Sequence, residues 1–419
     1  MGAINLILLK SEVTYSKRML LNLIRIASYS FSILVSSILY ISSICNKLIK
    51  YIKSYVRFVR SFIRVCINKY LLTRKKSGTV FDQIRNAEAL VELNVKKIKN
   101  VTLIGGSSVY QYDGKFFHPE PVDVKFDRFA EEYRGTFEYC KNLGGVKISS
   151  CECNLLIPKA DITVNLMSGV AGNYAHWISE ILPRLFVASK LDGTSINIII
   201  NEGLHRNLTK SIEFLLEKFE IANLIQVENG LALKVGNISM IEGVGYCQFE
   251  PRTSISFGRK LTLNSKLIRK MAKEINRKIT PNNSKKIYID RISLSRGIIN
   301  RSEVEKTLKK LEFTIIKPEE MTFEEQVSAF QGATHIVGPT GAALANCIFC
   351  EDNAKILILT SDNNSHLYEY WPSMLGEDRM CIKYSKQLDY DKNVGIGASF
   401  SVDCNQLLQD LNSMDMQSN

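Results

Sequence analysis

Apolar positions along most of the chain recur with period two or with helical spacing, and the switches between them mark the elements. ITVNLM (162–167) reads as a strand, and INIII (196–200) as a strand buried on both faces. Between them, AHWISEILPRLFVASKL reads as a helix interrupted or kinked near Pro183, because proline lacks the N–H that a helix interior needs. LTKSIEFLLEKF sets Leu208, Ile212, Leu215 and Phe219 on one helical face. Strand-like runs follow at 224–228 and 238–242, whereas residues 80–156 show no pattern that places elements.

The second half alternates more regularly. KIYI (286–289), FTIIK (313–317), HIV (335–337) and KILIL (355–359) are strands. Ser302-x-x-Glu305 and Thr322-x-x-Glu325 are capping boxes that open two intervening helices. GPTG is a turn and AALANCIF a third helix. Strands and helices of this length in alternation imply a parallel, doubly wound sheet. The expected fold is therefore α/β: two Rossmann-like domains facing a cleft, joined by a linker near 257–281.

Charge changes the picture at the N-terminus only. The chain carries 54 Lys/Arg against 42 Asp/Glu, a formal net charge of +12. Residues 1–76 hold 14 of those bases and one acid, Glu12, so the rest is near neutral. Residues 26–46 contain no charge, a length that crosses a bilayer. After them Lys47, Lys50, Lys53, Arg57, Arg60 and Arg64 form a basic helical stripe. A helix lying on an anionic leaflet, or crossing it, has this pattern. Residues 19–72 are thus expected to hold the body at the cytoplasmic face of the cell membrane, spanning or peripheral. A basic appendage on a neutral body does not fit a nucleic-acid binder. The ten cysteines lack metal-ligand spacing and read as free thiols in a reducing compartment.

Candidate chemistry falls in four places. The turn Gly338, Pro339, Thr340, Gly341 leads into a helix at Ala342, where glycines let backbone approach a ligand and N–H groups face an anion. Arg291 and Arg296 follow a strand at the same sheet edge, as a leaving diphosphate requires where no metal serves. His176 and Glu180 stand i, i+4 on one helix, and either can accept a proton from a sugar hydroxyl. Arg184, a further four residues on, is placed to pair with Glu180. Glu319 and Glu320 follow the FTIIK strand, where a carboxylate can meet a ribose diol or merely favour the next helix. No Walker loop, GxSxG or HExxH is present, and the single DxD, Asp389 to Asp391, reads as a solvated turn.

HWISEILPRL, the YIDR…R segment, EEMTFEEQVSAFQGATHIVGP and GAALAN, in this order over about 162–360, resemble glycosyltransferase family 61. The resemblance implies a GT-B-like fold and an inverting transfer from a nucleotide-sugar without a tightly bound metal. It places the donor near Arg291, Arg296 and Gly338–Gly341, and the acceptor near His176 and Glu180. Family members commonly have histidine where this chain has Thr340, which can donate one hydrogen bond but carries no charge.

The expected division is 1–76 membrane-associated helical segment, 77–260 acceptor-side domain, 261–385 nucleotide-sugar domain and 386–419 tail. The expected function is an inverting, metal-independent glycosyltransferase in surface polysaccharide or glycoconjugate synthesis, using a glycan or lipid-linked acceptor and no cofactor. Two alternatives remain at this point: a non-catalytic nucleotide-sugar or glycan-binding subunit, and a sugar-nucleotide epimerase.

Overall fold

The computed structural model describes residues 74–76, 80–82, 84–85, 93–120, 137–140, 145–148, 151–153, 157–247, 263–291, 296–361, 367–376, 380–387, 389–390 and 398–416. The apolar and basic stretches read as membrane-associated, within 19–72, lie outside these residues. Among the described residues no helix is long and apolar enough to cross a membrane. Residues 68–419 form one compact unit.

Strand β1 (Arg74–Lys76) falls at the end of the 1–76 segment expected to be helical, and β2 (Val80–Asp82), β3 (Ile84–Arg85), β4 (Asn94–Ile104), β5 (Tyr110–Tyr112), β6 (Lys115–Phe117), β7 (Phe137–Cys140), β8 (Gly145–Ile148) and β9 (Cys151–Cys153) occupy the stretch that patterning left open. With β13 (Leu231–Glu242) they build a seven-stranded sheet, ordered β1-β9-β13-β4-β5-β6-β3, and a three-stranded one, β2-β8-β7. The long antiparallel pair β4–β13 is the spine of the larger sheet. Its ladder skips Asn100 and Gly236, and Asn100 takes φ +56°, so the alternation that would announce β4 is broken midway.

Beside this sheet lies a parallel one, β10 (Ile162–Asn165), β11 (Ser195–Asn201) and β12 (Ile221–Val227), in that order. On β11, Ile196, Ile198 and Ile200 face the helices while Ile199 joins Val101, Leu103 and Val235 of the antiparallel sheet. The N-terminal half is therefore not a second doubly wound domain. Its parallel sheet has three strands, covered by helices on one face and by strands on the other.

The helix after β10 runs through Tyr174–His176, Trp177–Ile181 and Leu182–Ala188 (together α1), with the middle stretch wound as a π turn. Leu182 N–H bonds to Trp177 O, five residues back. Regular α-helix here would drive the Pro183 ring against the carbonyl four residues earlier. The wider turn is the interruption of regular α-helix expected near Pro183. Helix α2 (Arg206–Glu213) follows β11.

Where a linker was expected, α3 (Ser265–Asn276) buries Leu267, Ile268, Met271, Ala272 and Ile275. It belongs to one apolar core that runs from Ile198 and Leu208 through to Ile289 and Phe330. The two parallel sheets thus share a core.

Strands β14 (Lys286–Ile289), β15 (Thr314–Ile316), β16 (His335–Pro339), β17 (Lys355–Ser361) and β18 (Cys381–Gln387) form a parallel sheet ordered β15-β14-β16-β17-β18. Their continuous apolar runs are explained by burial on both faces. Ile287, Ile289, Ile336 and Ile356 face one core, Tyr288, Val337, Leu357 and Leu359 the other. Helices α4 (Arg301–Lys310), α5 (Phe323–Gln331), α6 (Leu367–Leu375) and α7 (Cys404–Met416) complete this half. The Thr322/Glu325 capping box is present in full. The Ser302 box is not, since α4 begins two residues earlier behind Asn300. Residues 398–416, set apart as tail in the sequence, bury Phe400, Val402 and Leu407 against the second face.

Candidate active site

In the C-terminal sheet the chain leaves β14 for β15 on one side, then returns to β16 on the other. The loops after β14 and β16 therefore part company, which opens a crevice at the carboxyl ends of the strands. A cavity of about 280 Å³ occupies it. Arg291 follows β14 there, Glu319 follows β15, and Gly341 and Ala342 follow β16. The opposite wall carries Gly172 and Tyr174, which follow β10, and His205 and Asn207, which follow β11. Both parallel sheets thus present their carboxyl ends to one cavity, which is the cleft that the alternation of elements predicts.

Arg291 is fixed by the turn it faces. Its Nη1 donates to Thr340 O at 3.0 Å. A Cβ on Gly341 would lie 2.4 Å from that Nη1, so glycine here makes room for the guanidinium. A Cβ on Gly338 would lie 2.8 Å from Ile289 Cβ, so this glycine serves the close packing of β16 on β14 and does not line the cavity. Arg291 Nε and Thr340 Oγ1 are buried with no hydrogen-bond partner. Thr340 N–H is taken by Leu359 O. The segment Ala342–Phe349 is a 3-10 helix in place of the expected α-helix, and its first N–H groups lack intrahelical acceptors.

Arg296 stands close enough to Arg291 for the charges to interact. Burial, and then the Arg291 charge, push its guanidinium down to about 10. Burial likewise lowers Arg291, offset by the charge of Glu319. Two desolvated cations side by side cost free energy unless an anion joins them. Glu319 is exposed and lines the cavity; Glu320 faces Lys317 at 3.9 Å and does not. Asp290, buried beneath the cavity, is ion-paired with Arg301 at the start of α4. Burial raises its carboxyl, and Arg301 opposes that rise.

A chain of hydrogen bonds joins the two walls. Tyr174 Oη donates to Asn346 Oδ1 at 2.5 Å, Asn346 Nδ2 to Gln326 Oε1 at 2.9 Å, and Gln326 Nε2 to Pro318 O at 2.9 Å. Asn207 Nδ2 adds a second link, to Met321 O at 2.8 Å. Patterning does not single out Tyr174, His205, Asn207, Asp290, Gln326 or Asn346. Asn346 alone leaves a trace, an amide within an apolar run, which when buried must find partners.

His176 Nδ1 and Glu180 Oε1 are 2.6 Å apart, and both residues are buried. They come together as the sequence predicts, one turn behind Tyr174, but neither lines the cavity. Arg184 does not join them. The π turn adds a residue, which rotates the following helix by about 100°. Arg184 accordingly meets Ser108 Oγ at 3.4 Å and Glu120 Oε1 at 3.9 Å. Cys347 and Cys350 are buried and form no disulfide.

The protein so described is an α/β molecule with a cationic crevice at a topological switch point and a buried His–Glu pair one turn behind its wall. Residues 174–357 match the family model described as Glycosyltransferase 61, the family the motifs resemble. The matched segment begins at Tyr174 and takes in most of both cavity walls, Arg291, Arg296 and the Gly341 turn. It supports a glycosyltransferase. No curated protein matches the chain.

Proposed function

We propose that the protein transfers a sugar from a nucleotide-sugar donor to a glycan or lipid-linked acceptor, with inversion at the anomeric carbon. One observation carries this reading beyond the family match. Arg291 and Arg296 are half-buried neighbours at the switch point, their guanidiniums lowered by burial, and Arg291 Nε is buried without a partner. A diphosphate supplies the missing charge and acceptors. Among the described residues no cluster of three or more His, Cys, Asp or Glu side chains is disposed to hold a metal ion. In this proposal the arginines and the N–H groups of Gly341 and Ala342 take up the charge of the leaving group. Glu319, exposed at the cavity, is the group for the ribose.

The acceptor hydroxyl approaches from the wall of Gly172 and Tyr174. Its oxygen bonds to the anomeric carbon as the bond to the diphosphate breaks. His176 takes the hydroxyl proton, and Glu180 holds Nδ1–H so that Nε2 is the basic nitrogen. The pair lies one turn behind that wall. The reaction runs at the cytoplasmic face of the membrane, with residues 19–72 as anchor. Incubation with a panel of nucleotide-sugars and a lipid-linked or glycan acceptor should release nucleoside diphosphate. The absence of both release and binding of any nucleoside diphosphate would sink the reading.

A further inference from the structure

Arg296 sits in the left-handed region, φ +57°, which a residue with a Cβ adopts only when its surroundings impose it. The surroundings here come from the far end of the chain. Phe400 N–H donates to Gly297 O at 3.1 Å, and Ile299 N–H donates to Phe400 O at 2.9 Å. Ile298 and Phe400 form a parallel bridge. One residue further on, Asn300 and Val402 exchange two bonds of 2.9 Å, Nδ2 to the Val402 carbonyl and Val402 N–H to Oδ1.

We infer that segment 398–402, gripped by Asn300, is a clamp that positions Arg296 for the donor diphosphate. The inference rests on the donor-site reading above and adds to it a positioning residue, Asn300, and a role for the C-terminal segment.

Three observations lead to this assignment. First, the clamp is anchored independently of the loop. Phe400 is fully buried against Tyr288, Val337 and Leu359, and Asp403 caps α7 through the N–H groups of Asn405 and Gln406. Secondly, Ile299 is 65% exposed, so its side chain does nothing to hold the loop. The backbone bonds to Phe400, the amide of Asn300 and the packing of Ile298 on the same core do that. Thirdly, Asn300 occupies the N-cap position of α4, where asparagine ordinarily accepts from the helix N–H groups. It makes no such cap. Its oxygen goes to Val402 and its amide to Val402 and Glu303. The side chain has been turned from a local task to one that ties the arginine loop to the sheet.

Releasing the clamp lets Arg296 relax out of the left-handed region, which withdraws its guanidinium from Arg291. The fold itself need not change, because Phe400 and α7 keep their own core contacts. The effect should therefore pass through Arg296 and through nothing else.

Uridine, guanosine and adenosine diphosphates, titrated in turn into the full-length protein by calorimetry, identify the one that binds. Asn300→Ala should weaken that binding about tenfold, the worth of one charge-assisted hydrogen bond. Asn300→Asp, which keeps the acceptor for Val402 N–H, should recover part of it. In an Arg296→Ala background, Asn300→Ala should cause no further loss, which a general loosening of the fold would not reproduce. Unchanged binding in Asn300→Ala, or a full additive penalty on top of Arg296→Ala, overturns the clamp alone. If the unaltered protein binds none of the three, the donor-site reading falls and the clamp with it.

Discussion

Tyr174 and Asn346, 172 positions apart in the chain, share a hydrogen bond of 2.5 Å across the cavity, with the phenol donating to the amide oxygen. Burial pushes the Tyr174 hydroxyl well above its ordinary range, so it stays a donor. Asn346 passes the link to Gln326 and so to the Pro318 turn. Tyr174→Phe leaves Asn346 Oδ1 without its donor in a dry place. It should cost about 1–3 kcal/mol in urea unfolding. A double-mutant cycle with Asn346→Ala should show coupling of about 0.5–3 kcal/mol. Strict additivity would mean that the two walls are held by packing alone.

Gly341 and Arg291 make a second test, because their relation is steric. Arg291→Ala should weaken nucleoside diphosphate binding by about 10- to 100-fold, for a lost charge-assisted contact. Gly341→Ala should reach a similar loss without touching the arginine, since its Cβ would displace Nη1. The displaced atom is the end of a flexible side chain, so the unfolding midpoint should hardly move. Native binding by Gly341→Ala would show that the present position of Arg291 is not the binding one.

What the sequence reveals of this architecture follows from how far each signal reaches. Strands β14, β16 and β17 announce themselves because both faces are buried, so each carries an unbroken apolar run after its first residue. Thr322 and Glu325 are legible as a cap because the partners are three residues apart. β4 is not legible, since Lys96, Lys97 and Lys99 face outward and Asn100 interrupts the pairing. Ser302 misleads because Asn300 is engaged with Val402, about a hundred residues away. The site divides in the same way. Arg291, Glu319 and Gly341 stand at strand ends and can be found by counting. Tyr174, Asn207 and Gln326 acquire their places only from partners in the other half, which no periodicity encodes.

His176 and Glu180 bear on turnover if the proposed mechanism holds. His176→Gln and Glu180→Gln should each lower kcat by about 10²- to 10⁴-fold, the range for a lost general base or its support. Affinity for nucleoside diphosphate should stay as it is, because neither residue lines the cavity. Undiminished turnover in both variants would place the base elsewhere.

Arg296 ties function to a cost in stability, and the sign can be stated. Its guanidinium is lowered from its ordinary value to about 10 in the folded protein, by burial first and the Arg291 charge second. The unfolded chain therefore holds this proton more tightly than the folded one. The resulting destabilisation is present throughout the range below about 10 and is relieved as pH rises from there toward the ordinary guanidinium range. Arg296→Gln removes the unfavourable charge, so without ligand the variant should unfold at higher urea than the native protein at neutral pH. Its affinity for nucleoside diphosphate should fall in the same samples. A saturating diphosphate should then reverse the order of stability, because only the native protein gains the full binding free energy. For the native protein, affinity should be steady near neutrality and decline once pH passes about 10, where Arg296 sheds its proton before binding. An Arg296→Gln variant that is both weaker in urea and unchanged in affinity would show that this arginine supports the fold and not the ligand.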